Sequence, residues 1–120
     1  MTKIDECPPK LRRNIQRFWP QTEWDNAAAI SQLESGWDQY ATNNTTDAAH
    51  PCGTVIAERN GVVITAEYSI GYFQINACNF PNWDPVSLYS AYQNCGTAHM
   101  LWAQSGWNPW YFSAHQLGLI

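Results

Sequence analysis

The sequence predicts an α+β domain that is mainly helical and carries one small β-hairpin. Apolar residues recur at the three- and four-residue spacing of a helix in three segments, 9–19, 22–35 and 85–106. An Asn-Gly dipeptide at 60–61 separates two segments rich in β-branched residues, which is the strongest short-range signal for a hairpin. A chain of 120 residues is long enough for one hydrophobic core, so we expect a single domain over 1–120.

The first two helices have recognisable limits. The first ends at Pro20, because proline is not tolerated inside a helix. Thr22 and Asp25 are expected to form a capping pair that opens the second helix, which continues to about Ser35. The apolar stripe of the second helix comprises Ala27, Ile30, Leu33 and Trp37.

A loop and then the hairpin are predicted for the middle of the chain. The stretch 39–53 is rich in Asn, Thr and Asp, which indicates a loop. A two-residue turn at 60–61 pairs Arg59 with Val62, and this register makes one face of the hairpin entirely apolar. The apolar face comprises Val55, Ala57, Val62, Ile64 and Ala66, and the polar face comprises Thr54, Glu58, Thr65, Glu67 and Ser69. Helical spacing resumes after Pro85, and Gly106 is expected to stop this last helix.

Charge and hydropathy exclude some classes of function. The net charge of -4 does not favour non-specific binding to nucleic acid, and no stretch approaches the roughly 18 to 20 apolar residues of a membrane-spanning helix. Five of the six basic residues lie in the first 17 positions, where we interpret them as a solvated helix face; contact with an anionic surface is the alternative. These five are Lys3, Lys10, Arg12, Arg13 and Arg17.

The cysteines indicate disulfides and not a metal centre. Four cysteines without a C-x-x-C pair, and with no histidine at a ligand spacing, make zinc improbable. Their even number in a small domain favours two disulfides and an oxidising destination, although three pairings are open and free thiols are the alternative. We expect no metal and no cofactor. The cysteines are Cys7, Cys52, Cys78 and Cys95.

Glu34 is a candidate general acid. At 100° per residue, its side chain projects within about 60° of both Ala27 and Ile30, on the apolar side of the second helix. Burial of a carboxyl group destabilises its charged form and raises its pKa, which an acid working near neutral pH requires. A half-buried glutamate that only caps or pairs is the alternative.

Two runs around this acid resemble the lysozyme-like superfamily. The run ESGWDQYATNNTTD at 34–47 is most similar to animal c-type lysozymes. The run YSIGYFQIN at 68–76 contains Ser-x-Gly-x-x-Gln and is more similar to bacterial lytic transglycosylases and their phage relatives. The ending GWNPW at 106–110 is similar to the closing helices of the same bacterial and phage domains. The resemblance covers about 22–112.

The resemblance implies that Glu34 protonates the leaving glycosidic oxygen. Where c-type lysozymes keep a second carboxylate, this chain has Ser69. Goose-type lysozymes and lytic transglycosylases also lack a carboxylate at that position. Glu67, one side-chain step away on the same hairpin face, is the candidate second catalytic carboxylate, with a solvated strand residue as the alternative. Asp47, on the preceding loop, is the other carboxylate that could take this role. A separation of about 5 to 5.5 Å between the two carboxyl groups would suit retention, and about 6.5 to 9.5 Å would suit inversion.

The resemblance also implies a set of substrate-binding residues. Amide side chains suit sugar hydroxyl and N-acetyl groups because they both donate and accept hydrogen bonds. Gly71 is expected to allow a close backbone approach or a positive φ, and the Tyr72 ring is expected to stack on a sugar. Trp107 and Trp110 are expected to pack in the core. The predicted binding residues are Ser69, Gly71, Tyr72, Gln74, Asn76 and Asp47.

The resemblance implies an enzyme that cleaves bacterial peptidoglycan. We expect a muramidase, which hydrolyses the β-1,4 bond between N-acetylmuramic acid and N-acetylglucosamine; a lytic transglycosylase, which forms a 1,6-anhydro product, is the alternative. The third alternative is a wall-binding or structural module that has lost turnover. We expect a monomer that binds glycan strands, no nucleic acid partner and no membrane span. We expect a secreted protein or a phage virion or lysis protein, because the cysteines indicate an oxidising destination. The segment after Met1 does not resemble a signal peptide, so the expectation is that a leader has been removed or that the protein leaves its cell by another route.

Overall fold

The α+β prediction is confirmed by a computed structural model, which describes residues 3–120. Its α-helices are α1 (Lys3–Glu6), α2 (Pro9–Phe18), α3 (Trp24–Ser35), α4 (Ala91–Ser105) and α5 (Tyr111–Gln116). Its strands are β1 (Thr42–Asn44), β2 (Val55–Arg59), β3 (Val62–Thr65), β4 (Tyr68–Ile70) and β5 (Ile75–Asn76). Four short 3-10 turns join these elements, at Gln21–Glu23, Ala77–Asn79, Pro85–Tyr89 and Asn108–Trp110.

The core lies among the helices and is rich in aromatic rings. Phe73 is fully buried at its centre, and the ring of Trp19 stacks on it with centroids 5.2 Å apart. Trp107 also stacks on Trp19, with ring centroids 6.0 Å apart. The indole nitrogen of Trp110 donates to the Phe73 carbonyl at 2.8 Å. Trp107 and Trp110 are therefore core residues, as the sequence predicted.

The start of α3 differs from the prediction. A 3-10 turn precedes the helix, and Glu23 occupies the N-cap, where its side chain accepts no hydrogen bond from the backbone of the first turn. The expected capping pair of Thr22 and Asp25 is therefore wrong. The carboxylate of Asp25 instead accepts a hydrogen bond from the backbone nitrogen of Ile4 at 3.1 Å, which ties α1 to α3. Leu33 was also wrongly assigned to the buried stripe, since it is 41% exposed.

The strands form two sheets, one more than predicted. In the first sheet β4 lies between β1 and β5, and both pairings are antiparallel. Strand β1 falls inside the stretch 39–53 that composition assigned to a loop. It is extended because each of its residues pairs with β4, as in Asn43 opposite Ser69. A partner strand that is distant in sequence has overridden local propensity here.

The second sheet is the predicted hairpin of β2 and β3. Arg59 pairs with Val62, as expected, but a bulge after Val55 places that residue opposite Thr65. The apolar face is therefore not continuous, and Val55 is 65% exposed. All of β2 is exposed, whereas β3 is mostly half-buried, so β2 is the outer strand of the hairpin. Its end is held by the Arg59 guanidinium, 3.8 Å from the centroid of the Phe112 ring in α5.

The carboxyl-terminal helical segment is interrupted at Ser90. The turn Pro85–Tyr89 is a 3-10 helix, and the Ser90 hydroxyl accepts from the backbone nitrogen of Gln93 to begin α4. Gly106 ends α4 with a φ of 62°, as predicted. No helix within residues 3–120 has the length and apolar composition needed to cross a bilayer.

One disulfide is present where two were expected. Cys52 and Cys78 are bonded, which ties the loop before β2 to the turn after β5. Cys7 and Cys95 are buried free thiols, so the expectation of a second disulfide is wrong for this structure. Burial raises the pKa of Cys7 to about 12 and also raises that of Cys95.

Candidate active site

A groove runs between the hairpin side of the molecule and the carboxyl-terminal helices. It consists of two adjoining cavities of about 260 and 200 Å³. Strand β3 forms a wall of the larger cavity, and residues 109–112 form the wall opposite. The residues common to both cavities are Glu34, Glu67, Asn76, Pro109 and Trp110. The two carboxylates that the sequence singled out therefore line one groove.

Glu34 is positioned by the last turn of α3. Gly36 ends that helix in the left-handed region, with a φ of 62°. The Glu34 side chain is half-buried, and one of its oxygens accepts a hydrogen bond from the Ser113 hydroxyl of α5. Burial raises the pKa of Glu34, the hydrogen bond from Ser113 opposes that effect, and the negative charge of Glu67 adds to it. The group is thus biased toward its protonated form.

Glu67 is held by two side-chain donors. It lies in the two-residue connection between β3 and β4, where one carboxylate oxygen accepts from the Asn43 amide at 3.1 Å. The other accepts from the Ser69 hydroxyl at 2.5 Å. Ser69 is itself buried, so its hydroxyl serves Glu67 and offers little surface to a ligand. Two donors fix the orientation of the Glu67 carboxylate in the groove.

Gln74 and Asn76 both line the smaller cavity, and each is anchored to the backbone. The Gln74 amide nitrogen donates to the carbonyls of Ala41 and Gly71, at 3.1 and 3.0 Å. The Asn76 amide oxygen accepts from the backbone nitrogens of Tyr68 and Cys78, each at 3.1 Å. The Gln74 oxygen and the Asn76 nitrogen have no protein partner among residues 3–120, so these two atoms are free to bind a ligand.

Gly71 has the structural property that the sequence predicted. Its φ is +78°, and a Cβ placed there would lie 2.5 Å from the Asn94 amide nitrogen. That nitrogen donates to the carbonyls of Ile70 and Leu88, while the Asn94 oxygen accepts from the Phe73 nitrogen at 2.9 Å. Because Gly71 has no side chain, it leaves room for the buried Asn94 amide, which joins α4 to the β4–β5 connection. It does not line the groove.

Two further predicted binding residues, Tyr72 and Asp47, also lie outside the groove. Tyr72 is 4% exposed and packs in the core, so its ring presents no open face on which a sugar could stack. Asp47 is exposed, and its carboxylate accepts hydrogen bonds from the backbone nitrogen and ring of His50 and the backbone nitrogen of Ala49. The hydrogen bonds from His50 lower the pKa of Asp47. Asp47 thus shapes its own loop.

The structure adds two residues that the sequence did not single out. Ser113 contacts Glu34 across 79 positions of sequence, and Asn43 contacts Glu67 across 24 positions. Asn43 belongs to the run at 34–47 that carried the resemblance, which was its only signal. No local pattern marks Ser113.

The chain is similar to a curated protein of Erwinia tasmaniensis, membrane-bound lytic murein transglycosylase F. The two sequences are 27% identical over 113 residues, which cover 84% of this chain and 23% of the relative. The chain thus spans about a quarter of the length of that relative. No protein-family model matches the chain, and no solved structure matches it with statistical significance. The similarity supports the lytic transglycosylase and lysozyme-like group in general and no particular member of it.

Proposed function

We propose that the chain is a glycosidase that cleaves the β-1,4 bond between N-acetylmuramic acid and N-acetylglucosamine in peptidoglycan. The observation that carries the proposal is Glu34, a half-buried carboxyl with a raised pKa that lines a groove. The similarity to a lytic murein transglycosylase supports a murein glycan strand as the substrate. The free amide atoms of Gln74 and Asn76 suit the hydroxyl and N-acetyl groups of such a strand.

In the proposed reaction Glu34 acts first as an acid and then as a base. Its carboxyl proton passes to the glycosidic oxygen as the bond from that oxygen to the anomeric carbon breaks. The resulting Glu34 carboxylate then accepts a proton from the group that attacks the anomeric carbon. Glu67, whose negative charge already raises the Glu34 pKa, would stabilise the positive charge that develops on the sugar ring.

The attacking group distinguishes a muramidase from a lytic transglycosylase. Attack by water gives a reducing muramic acid, and Glu67 in the same groove supports this candidate because it could orient the water. Attack by the 6-hydroxyl of the muramic acid gives a 1,6-anhydro sugar, and the similarity to a lytic transglycosylase supports this candidate. Mass spectrometry of the soluble fragments separates the two, since anhydro products are lighter by one water.

Substitution of Glu34 tests the proposal directly. We expect Glu34→Gln to lower the rate of peptidoglycan solubilisation about 10²- to 10⁴-fold, because the amide cannot donate an acidic proton. Binding to sacculi should persist, and circular dichroism should show an intact fold. Glu58→Gln, in the exposed strand β2, is the matched control and should cleave at the wild-type rate. Full activity of Glu34→Gln would refute the proposal.

A wall-binding module without turnover makes a different prediction. It would sediment with sacculi but release no soluble fragment, and Glu34→Gln would then leave every readout unchanged. The raised pKa of Glu34 argues against it, because a protein that only binds has no use for a buried acid.

A further inference from the structure

A second concave surface lies on α4, beside the groove. An open cavity of about 260 Å³ lies there over Gly96. It is lined by Phe18, Trp83, Tyr92, Gln93, Gly96, Thr97 and Met100. We call these residues the aromatic platform. Trp83 is 39% exposed and Tyr92 is 55% exposed. The platform thus presents two large rings to solvent next to polar side chains.

The rings of the platform are held in place from behind. The Trp83 indole stacks on Phe80 with centroids 4.3 Å apart and planes 17° apart, and a backbone hydrogen bond from Trp83 to Phe80 closes the turn. Tyr92 rests against Phe18 with centroids 5.3 Å apart. A Cβ at Gly96 would lie 3.1 Å from the Phe18 ring, so this glycine makes room for the ring inside a helix. Rings held in this way lose little conformational freedom on binding.

A positive charge lies at the edge of the platform. The Arg17 guanidinium is 5.3 Å from the centroid of the Tyr92 ring. Arg13, one turn earlier in α2, is also exposed. An exposed cation beside aromatic rings favours a ligand that combines apolar sugar faces with carboxylates.

The platform lies close to the groove along the chain. The segment 77–84 contributes Asn79 to the smaller groove cavity and Trp83 to the platform. Four residues span at most about 14 Å, and the turn at Phe80 shortens this distance. On α4, Leu101 lines the smaller groove cavity and its neighbour Met100 lines the platform. A polymer that leaves the groove past Asn79 therefore has only a short distance to cover before it meets Trp83.

We propose that the aromatic platform binds the glycan strand of peptidoglycan beyond the cleavage site. Sugar rings stack on Trp83 and Tyr92, and Arg17 pairs with the carboxylates of the peptides that the strand carries. The occupant is the strand that the groove holds, so this inference rests on the proposed function. The platform would keep the enzyme on an insoluble wall and add nothing to the bond-breaking step.

Binding of sacculi by variants that cannot cleave them tests the platform. In the Glu34→Gln background, we expect Trp83→Ala to weaken sedimentation with purified sacculi about threefold to tenfold. Trp83→Phe should restore most of the binding, because it keeps an aromatic face. Tyr40→Ala is the matched control, since Tyr40 is exposed and lines neither the groove nor the platform.

Cleavage by Trp83→Ala with Glu34 intact supplies the second readout. We expect slower solubilisation of sacculi and an unchanged rate on short soluble muropeptides, which are too short to reach the platform. If Trp83→Ala binds and cleaves sacculi like the wild type, the platform proposal is overturned while the role of Glu34 stands. If Glu34→Gln cleaves normally, the proposed function fails whatever Trp83→Ala does.

Discussion

Ser113, in α5, adjusts the proton affinity of Glu34 through a hydrogen bond. Its hydrogen bond favours the charged carboxylate and so opposes the rise in pKa that burial causes. We expect Ser113→Ala to raise the pKa of Glu34 further, which moves the alkaline limit of peptidoglycan cleavage to higher pH. The pH profiles of the variant and the wild type measure this displacement, with the exposed Ser105→Ala as control. An alkaline limit that stays or moves to lower pH would contradict this role for Ser113.

At the scale of residues, the sequence could predict which carboxylates belong to the site but not which side chains donate hydrogen bonds to them. The helical position of Glu34 marked it as half-buried because spacing reports the faces of a single element. Spacing does not report which elements meet, so the contact between Glu34 and Ser113 had no sequence signal. The same limit applies to Tyr72, where a motif position suggested a sugar contact and packing placed the ring in the core.

At the scale of elements, the junction of β4 and α4 depends on Gly71. An alanine there would bring its Cβ within 2.5 Å of the Asn94 amide in a left-handed backbone conformation. We expect Gly71→Ala to lower the free energy of unfolding by about 2 to 5 kcal/mol, which combines backbone strain with overpacking. Urea denaturation measures the loss. Gly118→Ala is the control, because Gly118 has a φ of +72° with no atom within 4 Å, and it should lose about 1 to 2 kcal/mol. Equal losses would show that the Asn94 contact is unimportant.

Elements whose signal is local were predictable, and those that need a distant partner were not. The α2 helix and the end of α4 at Gly106 follow from spacing and a stop residue. The hairpin register near 60–61 follows from its two-residue turn, but the bulge after Val55 shifts the far end. Strand β1 exists only through pairing with β4, which composition could not show.

At the scale of the molecule, the groove has the helical core on one side and the β2–β3 hairpin on the other. The helical side is closed by the aromatic cluster around Phe73 and Trp107. Strand β2 is exposed and β3 is mostly half-buried, and the hairpin contacts α5 through Arg59 and Phe112. The disulfide of Cys52 with Cys78 ties the base of the hairpin to the turn after β5. The groove wall formed by β3 is therefore fixed at both ends of the hairpin.

Keeping a charged Glu34 half-buried in the groove destabilises the folded state of the whole molecule. The pKa of Glu34 is higher in the folded protein than in the unfolded chain. Protonated Glu34 therefore adds to the free energy of unfolding at a pH below its pKa in the unfolded chain, and this contribution is lost as the pH rises through its pKa in the folded protein. Glu34→Gln removes the buried charge, so we expect it to raise the melting temperature at neutral pH. The difference from wild type should shrink as pH falls toward the ordinary pKa of glutamate, where Glu34 is protonated in both states. Calorimetry of the two proteins across this pH range measures the trend, with Glu58→Gln in the exposed strand β2 as control. A melting temperature of Glu34→Gln that equals or falls below wild type at neutral pH would show that burial of the acid does not destabilise the fold.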